Sequence, residues 1–278
     1  MKQKNNLRVL SLGAGVQSSA LALMIEKGEV PMIDAAIFAD VKGEPKAVYE
    51  WLQYLKTQIT KFPIHTVTWR DLKQDIKDAS EGKHKAFTAP FFTKNIKTGK
   101  KRMLRRQCTS MYKILPVIQK VRELIGLEKG EKRKKGTKVE MLMGISKDEI
   151  VRMRTNPIKY IKNVYPLVEK EMRRSDCLNW MKDNGYSKPP RSACWFCPYN
   201  SKDRWIDLKK NYPNYFTKAI ELDERIRNYK GSYNTINDTA KLFLHSRKKP
   251  LKDIDLENKN PDQMEFSELD ECEGVCFI

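Results

Sequence analysis

The sequence predicts an α/β fold: an open parallel sheet with a helical, cysteine-bearing C-terminal part. Three observations predict it. Short apolar runs, at residues 7–12, 35–40, 64–68 and 139–145, alternate with segments of helical periodicity, the pattern of a parallel sheet. A glycine-containing turn joins the first run to an apolar, helix-forming stretch. From Ser201 onward, Trp205, Leu208, Tyr212, Phe216, Ile220, Leu222 and Ile226 interleave with lysines and read as helices.

The first turn is Ser11-Leu12-Gly13-Ala14-Gly15-Val16-Gln17-Ser18-Ser19, and the helix begun at Ala20 can stop at Gly28. Gly13 and Gly15 let the backbone approach a ligand closely. Ser18 and Ser19 lie where the first helical N–H groups point outward, a ready site for an anion, most often a phosphate. A plain strand-to-helix turn with a serine cap is the alternative. The chain has no G-x-x-x-x-G-K-[ST] stretch. A G-x-G-x-x-G dinucleotide turn would need glycine where Ser18 stands, although Asp40, ending the next run, matches the acid of that motif.

Ligands of open parallel sheets sit beyond the carboxyl ends of the strands, which places Asp40 to meet a nucleotide. Its other possible role is to cap the helix that starts near Pro45. Val48, Trp51, Leu52 and Leu55 give that helix an apolar face. Residues 73–106 read as loop-rich and basic. There Lys94, Lys97, Lys100, Lys101, Arg102, Arg105 and Arg106 accompany Phe87, Phe91 and Phe92. Such a mixture suits nucleic-acid contact, a substrate lid or a solvated hairpin. A helix from Pro116 to Leu124 is followed by a polar, basic linker, residues 128–138, for which a phosphate-binding loop is the alternative. Lys147 and Arg152 can pair with Asp148 or Glu149 on a helix surface. Ser175 is the expected cap of a helix over residues 176–184.

The 278 residues, 40% hydrophobic, suffice for one sizeable core with a smaller appended unit. No apolar run approaches the ~20 residues of a membrane span. The N-terminal residues lead into a strand and not a signal-peptide core, so a cytoplasmic protein is expected. The formal net charge of +19 favours a polyanionic partner such as tRNA or DNA, with solvated lysines the plainer explanation.

Six cysteines in such a chain suggest metal or redox chemistry over a disulfide framework. Cys194 and Cys197 form a C-x-x-C pair, which is half of a metal site. Cys108, Cys272 and Cys276 are candidates to complete it, and Cys177 reads as a small core hydrophobe. An iron–sulfur cluster, a structural zinc and a redox dithiol all remain open.

Gly13-Ala14-Gly15-Val16-Gln17-Ser18 resembles the S-G-G-x-D-S loop of the PP-loop ATP pyrophosphatases, in the variant of the branch related to phosphoadenosine-phosphosulfate (PAPS) reductases. Gly13 stands where the family usually has Ser, and Gln17 where it usually has Asp. Further matches extend the resemblance over roughly residues 7–215. Gly144, Glu149 and Arg152 resemble G-x-x-x-x-E-x-x-R, and Arg106-Gln107-Cys108-Thr109 with Lys113 resembles R-x-C-T…K. Tyr165-Pro166-Leu167, a helix carrying Arg174-Ser175-Asp176-Cys177, and the Pro189–Tyr199 stretch, P-P-x-S-A-C-x-x-C-P-Y, complete the set.

The resemblance implies a Rossmann-like sheet of the PP-loop type over residues 1–160 and a helical region over 161–278. It implies an adenine nucleotide alpha hydrolase that uses ATP and Mg²⁺ to adenylate a substrate, after which sulfur from an unidentified donor displaces the adenylate. Ser11, Gly13, Ala14, Gly15, Val16, Gln17, Ser18 and Ser19, with Asp40, Gly144 and Arg152, would bind the nucleotide. Ser18, Asp40 and Lys147 would be catalytic, with Lys147, Arg152 and Arg154 neutralising phosphate. Cys108, Cys194 and Cys197, with Cys272 as candidate fourth ligand, would hold a 4Fe–4S cluster, as in cluster-dependent tRNA thiolation and DNA phosphorothioation enzymes. Zn²⁺ is the alternative metal. Glu271-Cys272 also resembles the catalytic segment of the reductases. A thiol oxidoreductase, with Cys272 attacking a sulfonyl group and Cys276 resolving, is therefore a second reading. A nucleic-acid-binding protein with structural zinc and a degenerate loop is a third.

Overall fold

The apolar run at 35–39 becomes a strand buried along most of its length, those at 7–12 and 139–143 are largely buried, and the run at 64–67 forms a half-buried edge strand. The computed structural model describes residues 5–84, 86–128, 130–230 and 239–257; Cys272, Cys276 and the acidic tail lie outside these described residues. The strands are β1 (Asn6–Leu12), β2 (Ala35–Ala39), β3 (Ile64–Val67), β4 (Phe92–Asn95), β5 (Lys101–Met103), β6 (Lys138–Met143), β7 (Ile161–Val164) and β8 (Ala240–Phe243). The helices are α1 (Val16–Lys27), α2 (Lys46–Gln58), α3 (Leu72–Ser80), α4 (Leu115–Leu124), α5 (Pro166–Glu169), α6 (Arg174–Asp183), α7 (Lys202–Asn211) and α8 (Pro213–Arg227).

A five-stranded parallel sheet runs in the order β3-β2-β1-β6-β7. This is a Rossmann-like sheet. From β1 the chain moves outward through β2 and β3, then returns to pair β6 on the other side of β1. That reversal makes a topological switch point between β1 and β6, where such sheets open a crevice at their carboxyl edge. α1 is buried from Val16 through Ile25, and α2 and α6 pack with it on one face of the sheet. A helix apolar nearly all round has to be buried so. Val117, Val121 and Ile125, from α4 and its end, cover the other face. Among the described residues no helix is long and apolar enough to cross a membrane.

The division expected at residue 160 falls just before β7, which extends the same sheet. Ser175 does not cap α6: the Asp148 carboxylate accepts from the Arg174 N–H and Asp176 from the Arg173 N–H, so the helix starts earlier than expected. Residues 73–106 are less loop-like than expected. They hold most of α3 and a β4–β5 hairpin, and β8 pairs with β4 to make a second, antiparallel sheet in the order β5-β4-β8. Phe87, Phe91 and Phe92 are buried, so they pack and do not stack on a ligand. Under this sheet a second core gathers Phe87, Phe91, Leu242 and Leu244 with Trp205 and Leu208 of α7 and Leu222 and Ile226 of α8.

His245 follows β8 and is 2% exposed. Its Nδ1 accepts from the Arg247 N–H at 3.1 Å, which requires the neutral ring. Burial, with help from Arg247 and Lys248, pushes its pKa down to about 4. The folded state thus binds fewer protons than the unfolded chain. This contribution to stability is complete above the ordinary histidine pKa of about 6.5 and is lost as pH falls toward 4, at about 1.4 kcal/mol per pH unit. His245→Asn keeps an acceptor and removes the titration. Denaturant unfolding between pH 4 and 6.5 should show a slope for the variant shallower by about one proton; equal slopes would contradict this.

Candidate functional site

The turn after β1 has the geometry of an anion cradle. Gly15 is the N-cap of α1, and no side chain caps the helix. The first intrahelical bond is Ser19 N–H to Gly15 O at 3.0 Å, so the N–H groups of Val16, Gln17 and Ser18 lie ahead of it. The serine-capped turn is therefore not what forms. The Ser18 hydroxyl accepts from the Gly13 N–H at 3.2 Å and faces Gly15 O at 3.4 Å, closing the loop on itself. Ser19 Oγ accepts from Trp51 Nε1 at 2.9 Å, fastening α1 to α2. Ala14 has φ of 58°. An L-residue in that left-handed region costs about 1–2 kcal/mol, strain that the surrounding structure holds in place.

The loop is pressed against the end of β6. A Cβ on Gly144 would lie 2.7 Å from the Ser18 backbone N and Cα, so only glycine fits. Just beyond, Gln17 is fully buried and its amide is fully engaged. Nε2 donates to Ser146 Oγ at 3.3 Å and Glu149 Oε2 at 3.1 Å, and Arg174 donates to Oε1 at 2.9 Å. Arg152 pairs with Glu149. Gln17 thus links α1, the short 3₁₀ turn over Lys147–Arg152 and α6. Glu149 supplies a carboxylate where Gln17 supplies none. Lys147 is not drawn to this group: its ammonium pairs with Glu171 at 3.0 Å, on an exposed flank.

Asp40, 3% exposed, follows β2 on the same edge of the sheet. It accepts from the Lys42 N–H and the Tyr49 hydroxyl, each at 2.8 Å, and pairs with the Lys42 ammonium at 2.7 Å. It does not cap α2, whose N-cap is Pro45. Burial, then the Asp40 carboxylate, pushes the Tyr49 hydroxyl far above its ordinary pKa, so it stays a donor.

Cys108, Cys194 and Cys197 are brought together on one pocket, lined also by Thr109, Lys113 and Phe196. Cys108 lies a few residues beyond β5, and its N–H donates to Thr88 O at 2.9 Å. The C-x-x-C loop docks on the β2–α2 connection: Trp195 N–H donates to Gly43 O at 3.1 Å, and a Cβ on Gly43 would strike the Phe196 ring at 2.9 Å. The buried Thr109 hydroxyl on this pocket has no hydrogen-bond partner among the described residues. Cys177 lies in the main core, as its surroundings predicted.

Lys113 ties the two sites together. It lies on a π-helical turn, Ser110–Ile114, that runs into α4. Such a turn carries an extra residue and re-aims its side chains. Lys113 is 6% exposed and lines both the cysteine pocket and a small cavity bounded by Ser11, Gly13 and Glu44. Its ammonium is 3.9 Å from Glu44 Oε1. Glu44, with Asp40 and Trp195, also borders an outer cleft of about 600 Å³. In the sequence, Lys113 and Glu149 stand out only as motif positions. Arg174 likewise stands out only as part of a family segment, and Glu44 does not stand out as part of the site, because its partner lies some seventy positions away.

No family model matches the chain, and no curated protein sequence matches it. Among solved structures, the chain is similar to a phosphoadenylyl-sulfate (PAPS) reductase from Candida auris in its phosphate complex. The identity is 13%, the match covers 67% of this chain and 75% of that one, and the TM-score is 0.41. At that distance the likeness assigns no activity.

Gln17→Leu keeps the size of the side chain and deletes three hydrogen bonds from a fully buried position. It should cost about 1–3 kcal/mol, read as a lower urea midpoint at unchanged m. An unchanged midpoint would show that the Ser146–Glu149–Arg174 link does not hold the loop.

Proposed function

We propose that this protein is an ATP-dependent, adenylating enzyme of the sulfur-transfer type that acts on a nucleic acid. One observation carries the reading: a side chain, Lys113, lines both the cavity of the glycine turn and the three-cysteine pocket. A phosphate cradle beside a set of thiols suits chemistry in which activation by ATP and sulfur delivery occur at neighbouring positions.

In this reading the N–H groups of residues 13–19 hold the ATP phosphates. An oxygen of the substrate attacks the α-phosphorus, the bond to the bridging oxygen of the β-phosphate breaks, and pyrophosphate leaves. The fixed N–H dipoles and the Lys113 ammonium offset the charge that develops, without reorganising. Mg²⁺, a hard cation, would take phosphate oxygens and a carboxylate from Asp40 or Glu149. The close Ser18–Gly144 approach keeps the loop in one conformation, and Tyr49 holds Asp40 in orientation.

Three thiols on one pocket are a donor set that iron–sulfur clusters take, and they support a 4Fe–4S cluster held by Cys108, Cys194 and Cys197. When bound, such a cluster supplies an iron that can hold sulfide for transfer.

Anaerobic purification should give a brown protein with about four iron and four sulfide per chain. It should release pyrophosphate from ATP, faster with tRNA or duplex DNA present. Ser18→Ala should slow that release by roughly tenfold or more, because the phosphate cradle loses its closing hydrogen bond. One zinc per chain, no iron and no pyrophosphate would overturn the proposal.

A further inference from the structure

The second sheet carries a charge pattern that folding alone does not explain. Its register sets Lys94 of β4 directly opposite Lys101 of β5 on one side and Lys241 of β8 on the other. Three lysines therefore lie in one row across three adjacent strands, at strand spacings of about 4.8 Å. Like charges directly opposite in a sheet destabilise it. Nearby acids would normally relieve such a row. Among the described residues none of the three makes an ion pair. A fourth lysine, Lys248, packs its ammonium over the Phe92 ring at 5.1 Å, where burial, and then the charge of Lys101, lowers its pKa.

The hairpin that presents the row is built and not loose. Asn95 Oδ1 accepts from the Lys97 and Thr98 N–H groups at 2.9 and 2.8 Å, and its Nδ2 donates to Thr239 Oγ1 at 2.7 Å. Gly99 takes φ of +69° to close the turn. The turn thereby holds Lys97 and Lys100 at the exposed end of the same ribbon. Five residues after the end of β5 the chain reaches Cys108.

We infer that this lysine row is a docking surface for the phosphate backbone of a polynucleotide. Regularly spaced fixed cations, without a counter-charge among the described residues, match a polymer with regularly spaced anions. A strand ribbon is also a shape that nucleic-acid grooves admit. The contacts are to phosphates, so they position the substrate and do not read its sequence. The inference rests on the nucleic-acid part of the proposed function and not on adenylation.

The test uses the full chain without ATP and three probes: a 25-base-pair DNA duplex, a tRNA, and vesicles containing phosphatidylserine. The variant is Lys94→Thr/Lys101→Thr/Lys241→Thr, in residues that favour strands. A control variant replaces Lys132, Arg133 and Lys134 in the polar linker with Thr. The row variant should bind duplex at least roughly tenfold more weakly at 0.1 M salt. Its plot of log K against log salt should be shallower by about 0.9 for each phosphate that it no longer neutralises, hence about 2.7. Its melting temperature should be equal or higher, since repulsion is removed. The inference is overturned if affinity and slope do not change, if only the linker variant loses binding, if the row variant melts lower, or if the wild type binds the vesicles and neither nucleic acid. A row variant that loses nucleic-acid binding in a protein that releases no pyrophosphate would uphold the surface while removing the adenylation reading.

Discussion

The close approach of the Ser18 backbone to Gly144 is the contact on which the site depends. It joins the end of β1, through the glycine turn, to the end of β6, at the point where the sheet order reverses. A side chain at 144 would force the two strands' ends apart and open the cradle. Because the approach is backbone to backbone, it fixes the N–H groups of the turn in direction as well as position. Gln17, Ser146, Glu149 and Arg174 then hold the same joint from the far side with hydrogen bonds that are shielded from water. A buried network of this kind is costly to leave half-made. It therefore acts as a lock on the loop.

A second joint couples the turn to the cysteines. Gly43 lets the C-x-x-C loop lie flat on the β2–α2 connection, so Phe196 and Cys194 pack where any larger residue would intrude. The π-helical turn sends Lys113 between the two cavities. Asp40 and Glu44 belong to the β2 side of this arrangement, and Trp195 faces the outer cleft. The cavity beside the glycine turn, the thiol pocket and an open cleft thus share walls. A cationic ribbon leads out from the strand that precedes Cys108.

Much of this is legible in the residues. The strand at residues 35–39 is a continuous apolar run, because a strand buried on both faces leaves that signature, and those at 7–12 and 138–143 are apolar with few interruptions, while the half-buried edge strand at 64–67 keeps only Ile64 and Val67 apolar. The glycine turn, Asp40 and the cysteine set are legible because each is a local cluster of unusual residue types. What escapes is non-local. The pairing of β8 with β4 joins residues about 150 apart, and nothing local to Lys241 signals it. The aromatic residues near the hairpin read as available for stacking, because exposure cannot be judged without knowing which sheet covers them. The Gln17 lock depends on Arg174, 157 positions away, and has no local sign. Lys147 illustrates the converse. Its neighbours fit a motif, yet the chain turns its ammonium to Glu171.

The central claim is that the glycine turn and the three cysteines form adjoining halves of one adenylating site. A crystal structure of anaerobically prepared protein with a non-hydrolysable ATP analogue, with data collected at the iron edge, tests it most directly. The account predicts phosphate density on the N–H groups of residues 13–19 and an iron signal bounded by Cys108, Cys194 and Cys197, with Lys113 between them. An empty turn, or iron located away from those cysteines, would contradict it.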